Sequence, residues 1–539
     1  PNGTWILRFR DGWSGDIGNV TSASITLSTT GVTRTVTKIE DTNDGTCDSD
    51  CSLREAIAAS SDGVSSVDRI EFARPFFDSP RRIVLNSDLR FVDAPFPVFA
   101  WVGPGAPSLT ISGSGLYAMQ FGASGGLRSF AGTRIAEVTG FISPGISLLH
   151  GMEFAFVNGG ITFFVCEMND SSIHSSSGSD FAQLFLSSGS TLRRVTVSQN
   201  TVRNANRPST IFANGIIRII DSAIVQNQAF GIGTDAVGGI SANSQVRLQN
   251  SVVAGNRAIG STGTQQDLGS RPGGSFQSLG HNVIGDVGSF AASFSQPGDQ
   301  TGTMAAPLNP VLSPLSRHGG LIPVHVPLPG SPLLDKGRRI SRDARGVALV
   351  DLGGIPNATE GNGGDIGAVE LSPLQVSTLN DGGPGSLRQI LQDAPAAPAV
   401  TDILIAPNVP PGAKITLTSG ELLVGKNVSI HGPGARNLTV SGNRQSRVLA
   451  VQPGARVSIS GLTLADGNGI GAISNNSGGI VLSAAGSQLT MVNTVLRNGR
   501  ANLIYGGWLL SGFGEFTNGA IIGNRSDALG AVDRSMLLM

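Results

Sequence analysis

Along most of the chain apolar and polar positions alternate in short runs, and the runs are punctuated by Gly, Asn and Ser. Alternation of this kind predicts half-buried strands, and the punctuation predicts tight turns between them. The clearest runs end at Asn200, Asn227 and Asn256. These asparagines are 27 and 29 residues apart, Asn282 follows 26 further on, and Asn498 and Asn524 repeat the interval of 26. A near-constant advance of that size predicts one turn of a solenoid, in which each coil bonds to the next and stacks like on like. The asparagines are expected to form a ladder inside a turn, their amides bonded to one another and their backbone in the left-handed conformation that this residue tolerates.

Two stretches break the strand pattern and match each other: Cys51-Ser52-Leu53-Arg54-Glu55-Ala56-Ile57 and Gly385-Ser386-Leu387-Arg388-Gln389-Ile390-Leu391. Ser52 with Glu55, and Ser386 with Gln389, have capping-box spacing, so a short helix is predicted to start at each serine. Leu53, Ala56 and Ile57, like Leu387, Ile390 and Leu391, fall on one helical face that must lie on something apolar. Downstream of each comes Gly-Pro-Gly-Ala, at 103–106 and 432–435, followed by Leu109 and Leu438 at the same offset of 329 residues. The chain therefore reads as a duplicated module.

The first stretch, with Asp44-Gly45 and Cys47 ahead of it, resembles the CSLREA domain, which opens right-handed parallel β-helices in large bacterial surface and secreted proteins. The second is similar to its cysteine-free variant. Residues 329–335, 342–346 and 365–370 are similar to the closing segment of the choice-of-anchor Q domain, and residues 1–28 to the last hairpin of a convertase P domain. The expectation is an all-β chain of tandem right-handed parallel β-helices with short capping helices and an N-terminal hairpin. Its parts are a hairpin over 1–30, a first β-helix over 31–286, a proline-rich distal cap over 287–372 and a second, apparently uncapped β-helix over 373–539. A two-stranded hairpin is marginal alone, so either hairpin and final coil complete each other in head-to-tail self-association into filaments, or the sequence is a piece of a longer chain.

Composition narrows the partners. The net charge is −1, charged residues make up 14% and glycines number 74, which gives no electrostatic case for nucleic acid or an anionic membrane. No run of 18 apolar residues is present, so no membrane-spanning helix is predicted. The chain starts at Pro1 without a leader-like segment, so any signal peptide is expected upstream or already removed. Cys47 and Cys51 are close enough for a small disulfide loop suited to an oxidising compartment, and Cys166 reads as a buried thiol.

Little in the sequence points to chemistry. Asp41, Asp44, Asp48 and Asp50 look at first like a calcium loop, but Gly45 stands where a third ligand belongs and the second module keeps only Asp381; a solvated acidic turn is expected. His150, His174, His318, His325 and His431 are scattered without partners, and His281 reads as a turn residue. Arg81-Arg82 and Arg193-Arg194 read as solvated faces, and the two Gly-Pro-Gly segments as structural turns. No catalytic residue, metal ligand or cofactor site is assigned. The expected function is that of a non-catalytic extracellular or cell-surface structural or adhesive protein, with a glycan or surface ligand as possible partner; the alternative is a β-helix polysaccharide lyase or hydrolase.

Overall fold

The computed structural model describes residues 32–60, 67–91, 98–122, 127–178, 182–204, 208–231, 236–259, 266–339, 341–405, 409–527, 530 and 537–538. The expected N-terminal hairpin lies outside them. The described chain is all-β, about 5% helical, and winds into a parallel β-solenoid of about 16 turns. Strand pairs run parallel and in register from coil to coil, so apolar side chains fall on apolar side chains. In the first unit Ile111, Ile135, Phe154, Ile173, Val197, Ile224, Val253 and Ile284 form one inward column. In the second Ile403, Ile430, Ile459, Met491 and Phe516 do the same. Full burial of each such side chain contributes about 1.5–3 kcal/mol. Two large cores result, one over residues 36–294 and one over 376–516.

The turns obey a rule finer than the sequence suggested. Asn200, Asn227 and Asn256 do form a ladder: Asn200 Nδ2 donates to Asn227 Oδ1 at 2.9 Å and Asn227 Nδ2 to Asn256 Oδ1 at 2.8 Å. The same oxygens accept the backbone N–H of the preceding rung, at 3.0 and 3.1 Å. The next rung, however, is Asp267, which accepts from Asn256. Asn282 belongs to a different corner, where it accepts from the Ser251 N–H and bonds to Asp299. The left-handed residues are not the ladder asparagines but their predecessors Gln199, Gln226 and Gly255. Turning the corner one residue early aims the next side chain inward, where its amide is buried and must be fully bonded. Asn498 and Asn524 are likewise not equivalent: Asn498 is left-handed, and Asn524 Oδ1 accepts the Gly499 N–H at 2.7 Å.

Helix α1, Leu53–Ala59, carries a complete capping box between Ser52 and Glu55. Glu55 is buried and also accepts from the Asp44 N–H and Thr42 Oγ1. In helix α2, Leu387–Asp393, Ser386 accepts from the Gln389 N–H. The Gln389 side chain, though, turns to Asp393 rather than back to Ser386, whose own N–H donates to the Gly383 carbonyl. The shared arginine has the same task in both modules. Arg54 pairs with Asp41 and donates to the carbonyls of Ser87 and Asp88; Arg388 pairs with Asp381 and donates to those of Gly420 and Glu421. Asp41 is therefore buried in an ion pair and not part of a solvated turn. Cys47 and Cys51 form a disulfide beside α1, and Cys166 is a buried free thiol with its pKa pushed up to about 12 by burial.

The proline-rich segment does more than close one end. A short 3-10 turn, Gly288–Ser293, and the strand Gln300–Thr301 lie on the last coil of the first unit. Beyond them Ile322, Val324, Val326, Leu333, Ile366 and Val369 cover an outward apolar strip made of Ala223, Val225, Val252, Ala254 and Val283. With few strands of its own, this segment is tied by buried polar side chains: Arg339 bonds Glu370, and Asp365 accepts the N–H groups of Asp335 and Leu371.

Candidate functional site

The two units meet side on. Arg134, on strand Arg134–Ala136 of the first, donates to Glu515 at 2.9 Å, on strand Phe513–Thr517 of the second. Arg317 from the proline-rich segment joins both, donating to Glu153 at 2.7 Å and to Glu515 at 3.1 Å, and Arg134 lies 3.2 Å from Glu153. At the other side of the contact Arg345 bridges Asp343 to Asp402, in the first coil of the second unit. Arg345 also lines a recess with His150, Asp170 and Arg194. Asp402, Ser429 and Ser458 of successive rungs meet the proline-rich segment and Glu515 meets Arg134, so the second unit lies beside the first and is joined to it through that segment.

This junction gathers the histidines that looked scattered. His174 Nε2 is 3.1 Å from Glu153, His325 Nε2 is 2.7 Å from Ser198 Oγ, and the rings of His318 and His431 stack at 5.2 Å. His431 Nε2 is also 3.3 Å from Asp402. His150 pairs with Asp170, which also holds Arg194, so that arginine is not a solvated face. Arg82 bonds Ser112 and Glu137 but stays exposed, as expected of a solvated face.

Between the units a cleft of about 440 Å³ opens. One wall is a corner column of the first solenoid, Glu137, Phe156, Ser175 and Gln199, all with left-handed backbone. The opposite wall is Thr490, Val492, Glu515 and Thr517 from the second solenoid, and Leu315, Ser316 and Pro323 of the proline-rich segment close it. At a left-handed corner the side chain leaves the coil, which is how Phe156 comes to be 43% exposed, as Gln199 of the same column is exposed too. Arg134 lies 5.9 Å from its ring centre and His174 meets it edge-on at 6.3 Å.

Beneath the cleft the buried charges are matched. Burial acts against the charge on Glu153, but Arg134 and Arg317, then His174, outweigh it and hold the carboxyl well below the usual range. Burial also opposes the charge on Arg317, and Glu153 and Glu515 overcome it. At the far side burial, then the neighbouring His431, pushes His318 well below the usual imidazole range, and burial lowers His325 to about 4. Among the described residues no group of three or more His, Cys, Asp and Glu side chains is placed to hold a metal ion. The residues singled out from sequence as caps and disulfide, Ser52, Glu55, Ser386, Gln389, Cys47 and Cys51, are not among those lining the cleft. A local signal did mark the cleft, since Arg134 and Glu153 are single charges within apolar runs at the position where later coils carry Ser172 and Thr196.

No family model matches the chain, and no curated protein matches it. Among solved structures, an alginate lyase of family PL6, AlyGC, aligns at 10% identity over 91% of this chain and 80% of its own, with a TM-score of 0.19. A mutant of the same lyase aligns at 9% over 86% and 78%, with a TM-score of 0.20. At that similarity neither structure bears on the chemistry of the cleft. No helix among the described residues is long and apolar enough to cross a membrane.

Proposed function

We propose that this chain is a non-catalytic extracellular solenoid, two β-helices fixed side by side as a rigid structural or adhesive body. The observation that carries the reading is the Arg134–Glu153–Arg317–Glu515 network. A glycosidase needs one carboxyl whose pKa is raised so that it can donate a proton near neutral pH. Glu153 is held in the opposite direction, and its oxygens are taken by two arginines and a histidine. The carboxylates at the junction act as fasteners between the units. The disulfide at Cys47–Cys51 suits an oxidising compartment, and the resemblance of the opening stretch to CSLREA-type surface proteins supports the same placement.

The test is turnover. Purified full-length protein incubated with acidic and neutral polysaccharides, with and without Ca²⁺, is expected to release neither unsaturated ends nor new reducing ends. Sustained product formation by the wild type would replace this reading with the polysaccharide lyase or hydrolase one.

A further inference from the structure

We propose that the cleft between the solenoids is a binding site for a neutral sugar, the terminal or internal unit of an uncharged glycan. The inference deepens the adhesive reading by naming its ligand class, and it uses three observations.

The first is charge. Arg134 and Arg317 are balanced by Glu153 and Glu515 within bonding distance, and Glu137 is engaged by Arg82 and Ser112. A uronate or phosphate entering this cleft would have to compete for Arg134, the arginine that lines it, already committed to Glu153 and Glu515, whereas an uncharged ligand leaves those pairs intact. The second is the mixture of surfaces. Phe156, Val492 and Pro323 offer apolar faces, and Ser175, Gln199 and Thr517 offer hydroxyl and amide groups. A pyranose has the complementary division, with C–H groups on its faces and hydroxyls around its edge, and the electron-rich face of a phenyl ring attracts such C–H groups. About 440 Å³ lies within the range of small-ligand sites and above what a single water needs.

The third is Phe156 itself. Its φ of 54° is left-handed, a conformation that bulky residues rarely adopt. Its neighbours in the same column are Glu137, Ser175, Gln199 and Gln226. An aromatic ring at that corner is neither favoured by the backbone nor buried in the core; it is held out into the cleft between Arg134 and His174. Strain retained at a surface position that packing does not explain points to use of the side chain.

The experiment is calorimetry and saturation-transfer NMR on the full chain with glucose, galactose, mannose and N-acetylglucosamine, and with oligosaccharides of each. Glucuronate, galacturonate and inorganic phosphate are the charged comparisons. At least one neutral sugar should saturate the wild type, and a gain in affinity from monosaccharide to oligosaccharide would assign the ligand to a glycan chain rather than a free sugar. Phe156→Asn removes the ring while placing at the corner a residue that accepts left-handed backbone. It should weaken binding at least about tenfold, equivalent to about 1.4 kcal/mol, with the melting temperature kept or raised. Thr517→Val, a change of one hydroxyl on the opposite wall, should weaken it too. Saturation only by uronates or phosphate, no saturation by any neutral sugar, or equal binding by wild type and Phe156→Asn would overturn the inference. Binding with the sugar chain recovered intact supports both inference and scaffold reading; binding with cleavage keeps the site and removes only the non-catalytic claim.

Discussion

Glu153→Gln removes one negative charge and almost nothing else. Glu153 is fully buried, and beside it Arg134 and Arg317 expose only 3% and 2% of their side chains. In the native chain these two cations face two anions; in the variant they face Glu515 alone. Removing one member of a buried ionic set costs about 3–5 kcal/mol, because the uncompensated charge stays desolvated. The double variant Glu153→Leu with Arg317→Met removes one charge of each sign and leaves the Arg134–Glu515 pair at 2.9 Å. Replacing a buried pair by apolar groups is close to neutral, so this variant should unfold within about 1 kcal/mol of wild type. Urea titration followed by fluorescence is suited to the measurement, because Trp101 lies in the first core and Trp508 in the second. Acid adds a signature. A carboxyl held below its ordinary value of 4.5 contributes stability that is complete above that value and is lost as pH falls through the folded one. The wild type should therefore lose this contribution below about pH 4.5, and the double variant should not. If Glu153→Gln stays within about 1 kcal/mol of wild type, the network is not what joins the units and the argument from it fails.

Asp267, at the end of the asparagine ladder, is pushed up to about 7 from 3.8, chiefly by burial. A raised carboxyl contributes stability that is full below its unfolded value and lost as pH rises through the folded one, here about 4 kcal/mol. Relative to wild type, Asp267→Asn should gain about that much between pH 4 and pH 8, and a flat difference in unfolding free energy would sink the assignment. Asn227→Ala leaves the Asn200 N–H and the Val197 carbonyl without their partners and should cost about 2–4 kcal/mol in denaturant; a loss below about 1 would show that the ladder is decorative. A Cβ on Gly432 would sit 2.4 Å from the Gly461 carbonyl oxygen, whereas Gly382 has open space around it. Gly432→Ala should therefore lower stability by about 1–3 kcal/mol and Gly382→Ala by less than about 0.5, with equal melting temperatures as the refuting result.

What was legible in the sequence was whatever repeats at short range. Alternating strands, the coil advance and the Ser52 and Ser386 caps all follow from residues that touch within one coil or the next. The ladder was misread at Asn282 because its rung is filled instead by Asp267, which accepts as an amide does and breaks the asparagine interval. Gln389 departs from the capping box because Asp393, one helical turn on, offers its amide a partner. The junction was hidden for a different reason. Arg134 and Glu515 are 381 residues apart, so no spacing connects them. His150 and His174 find partners in neighbouring coils of the first unit and His325 on Ser198, whereas His318 and His431 meet only where the proline-rich segment packs on the second unit.

That clamped arrangement sets where such a protein can change length. Each coil adds about 4.8 Å along its own axis. Coils ahead of Arg134 lie outside the contact, so whole repeats could be gained or lost there with the junction undisturbed. Between Asp402 and Glu515 the same event would carry Glu515 one full step away from Arg134 and Arg317, farther than any of the three side chains can reach and stay bonded. Insertion of a single coil should thus be tolerated ahead of Arg134 and should break the junction inside the second solenoid, where repeat number acts as a fixed gauge between two clamps.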